Sequence, residues 1–150
     1  LPERPELVAA APDLQIKISG CPNGCGRHHI AGLGFQGSVR KVGGKAVPQY
    51  FVMVGGGPDG DGVRFARLAA KIPARRMTVA LERLLALYAQ DRMPEESATA
   101  FFQRVDVARV KSVLADLEQM TADATAADDF IDLAETGEFN PEIQEGECSA

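Results

Sequence analysis

Between residues 14 and 19 the chain alternates Leu14, Ile16 and Ile18 with Gln15, Lys17 and Ser19, the period of two that marks a strand with one buried face. Gly20 ends it. A second strand is predicted over residues 33–42, and Gly43-Gly44-Lys45 is a hairpin signal with two glycines able to take positive φ. The third strand, residues 47–54, centres on Gln49-Tyr50-Phe51-Val52-Met53-Val54, and so continuous an apolar run predicts burial on both faces. It empties into Gly55-Gly56-Gly57-Pro58-Asp59-Gly60-Asp61-Gly62. Residues 68–72 form a further short strand for which helix competes, closed by Pro73.

From Met77 the period becomes helical, with Val79, Leu81, Leu84, Leu85 and Tyr88 in a wide apolar stripe, Thr78 as the expected N-cap and Pro94 past the end. A short helix is expected over residues 97–104. Asp106 caps a third, in which Val107, Val110, Val113, Leu114 and Leu117 recur at spacings of three and four. Minor elements are a helical turn at 6–10 inside a Pro-rich leading linker, a turn at 27–31, and a weak element at 130–134 before Gly137, Asn140 and Pro141. Strands first and helices after predict an α+β fold. A mixed or antiparallel sheet of about three to five strands in the N-terminal half is covered by helices from the C-terminal half.

Composition adds three constraints. At 150 residues and 45% apolar content the chain can bury one core, and no stretch approaches the ~18 to 20 apolar residues of a membrane span. The first residues have no signal-peptide pattern, so a cytoplasmic protein without membrane contact is expected. Charge is unevenly spread: residues 112–150 carry eleven acids and no base, leaving ten acids against sixteen bases in residues 1–111. The basic body calls for anionic company. Scattered bases, few aromatics and no groove-reading helix argue against nucleic acid. The final acidic stretch is expected to drape over the surface or to be disordered unless anchored. The absence of Met at position 1 suits a chain that starts inside a longer polypeptide, as Met removal also would.

The chemistry concentrates in Cys21-Pro22-Asn23-Gly24-Cys25-Gly26. Three cysteines are too few for a disulfide scaffold, and a Cys-x-x-x-Cys pair lacks the spacing of a thioredoxin-like redox site. Thiolates this close are soft ligands for an iron–sulfur cluster, zinc or copper(I). A structural zinc site could draw on Cys21, Cys25, His28 or His29, and Cys148, whereas a cubane cluster needs about four thiolates. Spacing alone leaves iron–sulfur, zinc and two unligated cysteines in a turn all open.

The string Ser19-Gly20-Cys21-Pro22-Asn23-Gly24-Cys25-Gly26 closely resembles the second half of the cluster signature of the sirohaem-dependent nitrite and sulfite reductases. The likeness continues through residues 32–37, the glycines at 55–57, the Leu84-rich helix and Gly146-Glu147-Cys148. This resemblance implies that residues 1–120 are the C-terminal part of the cluster- and sirohaem-binding domain and residues 121–150 an acidic extension. It implies a [4Fe–4S] cluster bound by Cys21 and Cys25, with Cys25 also giving the axial sulfur to sirohaem and Asn23 donating hydrogen bonds near that shared sulfur. Asn23 reads equally as a turn residue. The family's upstream cysteine pair, spaced by five residues, is absent here, so the resemblance implies a fragment that is inactive alone and is partnered by the N-terminal remainder of the reductase.

Sirohaem's carboxylates would give Arg27, Arg64, Arg67, Arg75 and Arg76 bidentate partners, and Gly55, Gly56 and Gly57 could present bare backbone N–H groups to the macrocycle. His28 and His29 are expected to be loop or core residues, since sulfur fills the axial position. No substrate-gripping residue is assigned, and Cys148 reads as a free thiol. The implied reaction is the six-electron reduction of sulfite or nitrite, with electrons from ferredoxin or a flavoprotein. The alternative is a structural zinc- or metal-binding module using Cys21, Cys25 and His28 or His29.

Overall fold

A computed structural model describes residues 4–121 and 125–141. The elements are α1 (Pro5–Ala9), β1 (Ile16–Ser19), β2 (Leu33–Val42), β3 (Lys45–Val54), β4 (Gly57–Asp59), β5 (Gly62–Arg64), β6 (Arg67–Pro73), α2 (Met77–Asp91), α3 (Ala98–Arg104) and α4 (Val107–Leu114). Turns of 3-10 helix lie at His28–Ile30, Ala74–Arg76, Ala115–Glu118 and Ala127–Phe130. The strands form a four-stranded sheet ordered β1-β2-β3-β6, with β1 parallel to β2 and the other pairs antiparallel. This is the expected α+β arrangement.

The β2–β3 hairpin turns where the glycines predicted it, Gly43 and Gly44 taking φ of 56° and 84°, the left-handed values that a two-residue turn between twisted strands requires. Its register places Leu33 opposite Val54 and Phe35 opposite Val52 on one face. Against that face pack Leu84, Leu85 and Tyr88 of α2, Phe101 and Phe102 of α3, and Val110 and Leu114 of α4. The opposite face is barer: Phe51 and Met53 are only half-buried, which corrects the expectation that β3 is covered on both sides. The Lys71 ammonium, 5.1 Å over the Phe51 ring, gives that face part of its cover.

Several local expectations change for tertiary reasons. Residues 67–73 are strand because β3 offers them a ladder, Tyr50 facing Ile72 and Phe51 facing Lys71, and pairing outweighs a weak local preference. A small β4–β5 hairpin occupies the glycine-rich loop. Helix α2 grows out of the 3-10 turn Ala74–Arg76, so Arg76 stands at the N-cap and Thr78 lies inside the first turn. Its buried stripe is Ala80, Leu84, Leu85, Leu87 and Tyr88, while Val79 is 41% exposed. Ser97 and Asp106 cap α3 and α4 as expected, accepting from Ala100 N at 3.2 Å and Ala108 N at 2.9 Å. On β1 the alternation faces the other way: Ser19 is buried and Ile18 is 60% exposed, because β1 is the edge strand and one residue of phase inverts its faces.

The described part of the acidic tail is anchored. Asp129, buried, receives Arg76 through Nε at 2.8 Å and pairs with Nη2 as well, while Arg76 Nη1 donates to the Leu117 and Gln119 carbonyls. Lys45 pairs with Glu138 and lies 5.6 Å over the Phe130 ring, and Ile131 bridges to Glu138 in place of the weak element predicted at 130–134. No helix among the described residues is long and apolar enough to cross a membrane. Cys148 lies outside the described residues.

Two outcomes are expected. Phe101 is fully buried between Tyr88 and Phe102, at ring separations of 5.5 and 5.2 Å, so Phe101→Ala costs about 3 to 5 kcal/mol in urea unfolding. At Asp13, burial works to raise the carboxyl, but hydrogen bonds from the Thr99 backbone and side chain and the Ala98 backbone hold it below the usual carboxylate range. Its contribution is complete above the ordinary carboxylate value and is lost as pH falls through the lower folded value. Asp13→Asn therefore flattens the acid limb of the stability–pH curve, and a limb of unchanged slope contradicts this.

Candidate metal-ligand loop

The two cysteines sit where β1 stops. Cys21 is half-buried and Cys25 exposed, both as free thiols. The turn between them takes its shape from glycine. Gly24 has φ of 72°, and a Cβ there would come within 3.2 Å of the His29 ring; a Cβ on Gly26 would overlap the Ile18 carbonyl oxygen. Arg27 follows in the left-handed region at φ 56°, its amide donating to the Gly24 carbonyl at 2.7 Å. Asn23 lies exposed in the turn.

Beyond the turn the loop folds back flat on the sheet. The His28 carbonyl lies where a side chain on Gly34 would be, and the Gly20 carbonyl does the same at Gly37. His28 itself is buried, with Nδ1 2.8 Å from Ser19 Oγ and Nε2 3.2 Å from Gln36 Oε1. Ser19 Oγ also accepts the Gly26 amide at 3.0 Å. With the imidazole neutral these roles fit one arrangement: Nε2–H donates to the Gln36 carbonyl oxygen, and Nδ1 accepts the Ser19 hydroxyl proton, whose oxygen takes the Gly26 N–H.

The glycine run at the end of β3 meets the same loop. Gly55 N donates to the Gly32 carbonyl at 2.9 Å and Gly56 N to the Ala31 carbonyl at 3.0 Å, while a Cβ on Gly56 would stand 2.7 Å from the Ala31 oxygen. The amides expected to be bare at Gly55 and Gly56 are thus engaged in backbone pairing, and Gly57 opens β4 opposite Arg64. Ala66 N donates to the His29 carbonyl at 2.8 Å, and the His29 ring stacks on exposed Phe65 at 5.7 Å. Residues 55–56 and 65–66 are therefore joined to the His29–Gly32 end of the cysteine loop.

The candidate arginines fall into separate groups, Arg64 and Arg67 both reaching the Gln103 carbonyl and Arg75 and Arg76 the tail. Arg27 is exposed beside Cys25. Arg64 pairs with Asp59 at 2.8 Å, Arg67 donates to the Phe102 carbonyl at 2.7 Å, Arg75 to the Glu135 carbonyl at 2.5 Å, and Arg76 holds Asp129. Arg75 and Arg76 thus take the chain's own tail as partner. The zinc alternative finds no support here: both ring nitrogens of His28 are bonded within the protein, and among the described residues no group of three or more His, Cys, Asp or Glu is placed to hold a metal ion. Sequence reasoning passed over Ser19 and Gln36. Each is a polar residue in a strand, Ser19 next to the motif and Gln36 in β2, meaningful only once the fold sets them 2.8 and 3.2 Å from the histidine.

Two glycines separate shape from composition here. Gly26→Ala forces its Cβ against the Ile18 carbonyl and is expected to cost about 1 to 3 kcal/mol, whereas Gly20→Ala meets nothing within 4 Å and stays within about 0.5 kcal/mol of wild type. Equal unfolding midpoints for the two variants would remove the steric account.

Comparison with known proteins places the chain in a family. The chain matches the family model described as the nitrite and sulphite reductase 4Fe-4S domain over residues 6–121. It is 35% identical over 95 residues to sulfite reductase (NADPH) hemoprotein beta-component 2 of Pectobacterium carotovorum subsp. carotovorum strain PC1, covering 63% of this chain and 15% of that protein. With the sulfite reductase (NADPH) hemoprotein beta-component of Xylella fastidiosa strain M23 it shares 38% identity over 101 residues, 67% of this chain and 16% of the other. The chain thus spans about a sixth of the length of these curated relatives. The fold resembles the structure of the Mycobacterium tuberculosis NirA protein with a TM-score of 0.59 at 23% identity, over 73% of this chain and 21% of that one. A cysteine loop folded flat on a mixed sheet and a family match across more than three quarters of the sequence lead to one conclusion: this chain belongs to the nitrite and sulphite reductase 4Fe-4S domain family.

Proposed function

We propose that the chain is the C-terminal cluster- and sirohaem-binding part of a cytoplasmic sulfite or nitrite reductase, in which Cys21 and Cys25 give two of the four thiolates of a [4Fe–4S] cluster. The observation that carries this reading is the pair of free thiols at the rim of a loop whose backbone is held on both sides by close glycine contacts. Such a loop presents soft ligands at fixed positions, as a cluster demands, and it offers only half of the set a cubane takes. The fit is therefore good in donor chemistry and partial in number. On this reading the other two thiolates come from the N-terminal remainder of the same reductase.

When bound, the coupled cluster and sirohaem supply the electron path for the six-electron reduction of sulfite to sulfide or nitrite to ammonia. This chain's own residues hold and orient. On this reading Cys21 and Cys25 would hold the cluster, Cys25, the more exposed of the two, would also hold sirohaem, and Asn23, exposed in the turn between them, would donate its amide near that sulfur. Arg27, exposed and without an ion-pair partner among the described residues, is the candidate for a sirohaem carboxylate. Of Gly55, Gly56 and Gly57, Gly56 lets the β3 end meet the loop backbone at Ala31, Gly55 lets it meet the Phe102 carbonyl of α3, and Gly57 would present its N–H to sirohaem. Electrons reach the site from a ferredoxin or a flavoprotein, and the NADPH in the relatives' names favours a donor fed by that nucleotide. The chain alone is expected to be without turnover, since it holds half of a ligand set.

The test is made in the reductase polypeptide that carries this domain. Cys25→Ser is expected to remove sirohaem absorbance, the cluster's electron-paramagnetic signal and sulfite- or nitrite-dependent oxidation of a reduced dye together. Retention of all three sinks the assignment.

A further inference from the structure

The buried histidine is unused by the function proposed above, yet it is bonded at both ends. His28 is 3% exposed and joins Gln36 of β2 on one side to Ser19, the last residue of β1, on the other. Ser19, 6% exposed, passes the connection to the amide of Gly26, the residue after Cys25. The backbone of His28 is fixed where its carbonyl is seated on Gly34, and the ring is held by its two hydrogen bonds and by a T-shaped contact with His29, ring centroids 5.5 Å apart. A buried imidazole is costly unless its nitrogens are satisfied, and here each has a partner in the sheet or at its edge. Cys25, in contrast, is exposed and flanked by Gly24 and Gly26, whose backbones have the most freedom to lose. Something must restrain that end of the loop.

We propose that His28 is a positioning residue: through the Ser19 hydroxyl it holds the Gly26 amide and so fixes the Cys25 end of the ligand loop before any metal is bound. The direction of the relay follows from the atoms. Gln36 Oε1 only accepts, so Nε2 carries the proton; Nδ1 is then the acceptor that turns the Ser19 hydroxyl proton inward and leaves the oxygen's lone pairs for the Gly26 N–H. Remove the acceptor at Nδ1 and the hydroxyl is free to rotate, and with it the amide it holds. The inference rests on the reading of Cys21 and Cys25 as metal ligands for its purpose, but its geometry stands apart from that reading and is tested apart from it.

The experiment uses the 150-residue chain and three variants, Ser19→Ala, His28→Gln and His28→Asn. An asparagine oxygen falls near the position of Nδ1 and can still accept from Ser19; a glutamine amide reaches toward the position of Nε2 and leaves Ser19 without its acceptor. Hydrogen exchange of the Gly26 amide is read by NMR, and Cd2+ affinity by its thiolate charge-transfer absorbance. Ser19→Ala and His28→Gln are expected to speed Gly26 exchange and weaken Cd2+ binding by about tenfold each, the factor that corresponds to ~1.4 kcal/mol. His28→Asn stays within about twofold of wild type in both, although all three variants lower the unfolding midpoint.

A histidine that merely fills space gives a different pattern, with His28→Asn and His28→Gln alike and the Gly26 amide unmoved, and that pattern overturns the proposal. So does a wild-type chain that takes up no Cd2+, since a prearranged pair of thiols binds it. Failure of the cluster reading shows elsewhere, as iron retained in the Cys25→Ser reductase, and the two results are independent.

Discussion

The feature on which the structure turns is backbone lying directly on backbone. The loop that follows β1 crosses β2 with the His28 carbonyl seated on Gly34 and the Gly20 carbonyl on Gly37, and the end of β3 meets the same loop through Gly55 and Gly56. Any side chain at these points would lift the loop off the sheet. Close approach lets ordinary amide–carbonyl hydrogen bonds, each worth about 1 kcal/mol net, hold a segment whose irregular path gives it few of its own. The cysteines are therefore carried by the sheet, and a displaced β2 or β3 moves them.

Charge is organised on the same frame. The basic body foreseen from composition is in part neutralised by the chain's own tail, through Arg76 with Asp129 and Lys45 with Glu138. The first of these pairs is largely buried and draws in the Leu117 and Gln119 carbonyls, which makes it a packing element that ties the tail to the start of α2. The second is exposed and worth little by itself. Of the five candidate arginines the tail takes Arg75 and Arg76, while Arg64 pairs with Asp59, Arg67 donates to the Phe102 carbonyl, and Arg27 stands exposed two residues after Cys25.

Legibility followed the range of the interaction. The β2–β3 hairpin was readable because Gly43-Gly44 specifies a turn within two residues, and the caps Ser97 and Asp106 because a cap needs only its own first helical turn. Thr78 was misread because the 3-10 turn before it carries the helix start back to Arg76, and that turn is set by where β6 ends. β6 itself was undecided, since Leu68 to Ile72 has no strong local preference and becomes strand by pairing with β3. The glycines at 55–57 were legible as special but not in their role: from sequence an amide that grips an anion and one that grips a neighbouring carbonyl look the same.

The amino-acid sequence by itself determined the α+β order of elements, the place of the cysteine loop at the end of the first strand and the two thiols within it. All of these depend on residue type and near neighbours. Only the tertiary structure decided that His28 is a bonded core residue, that Ser19 and Gln36 are its partners, and that Arg75 and Arg76 belong to the tail. Those assignments join residues 8 to 60 positions apart, and no local pattern encodes which distant carbonyl or carboxylate a side chain will meet once the sheet brings them together.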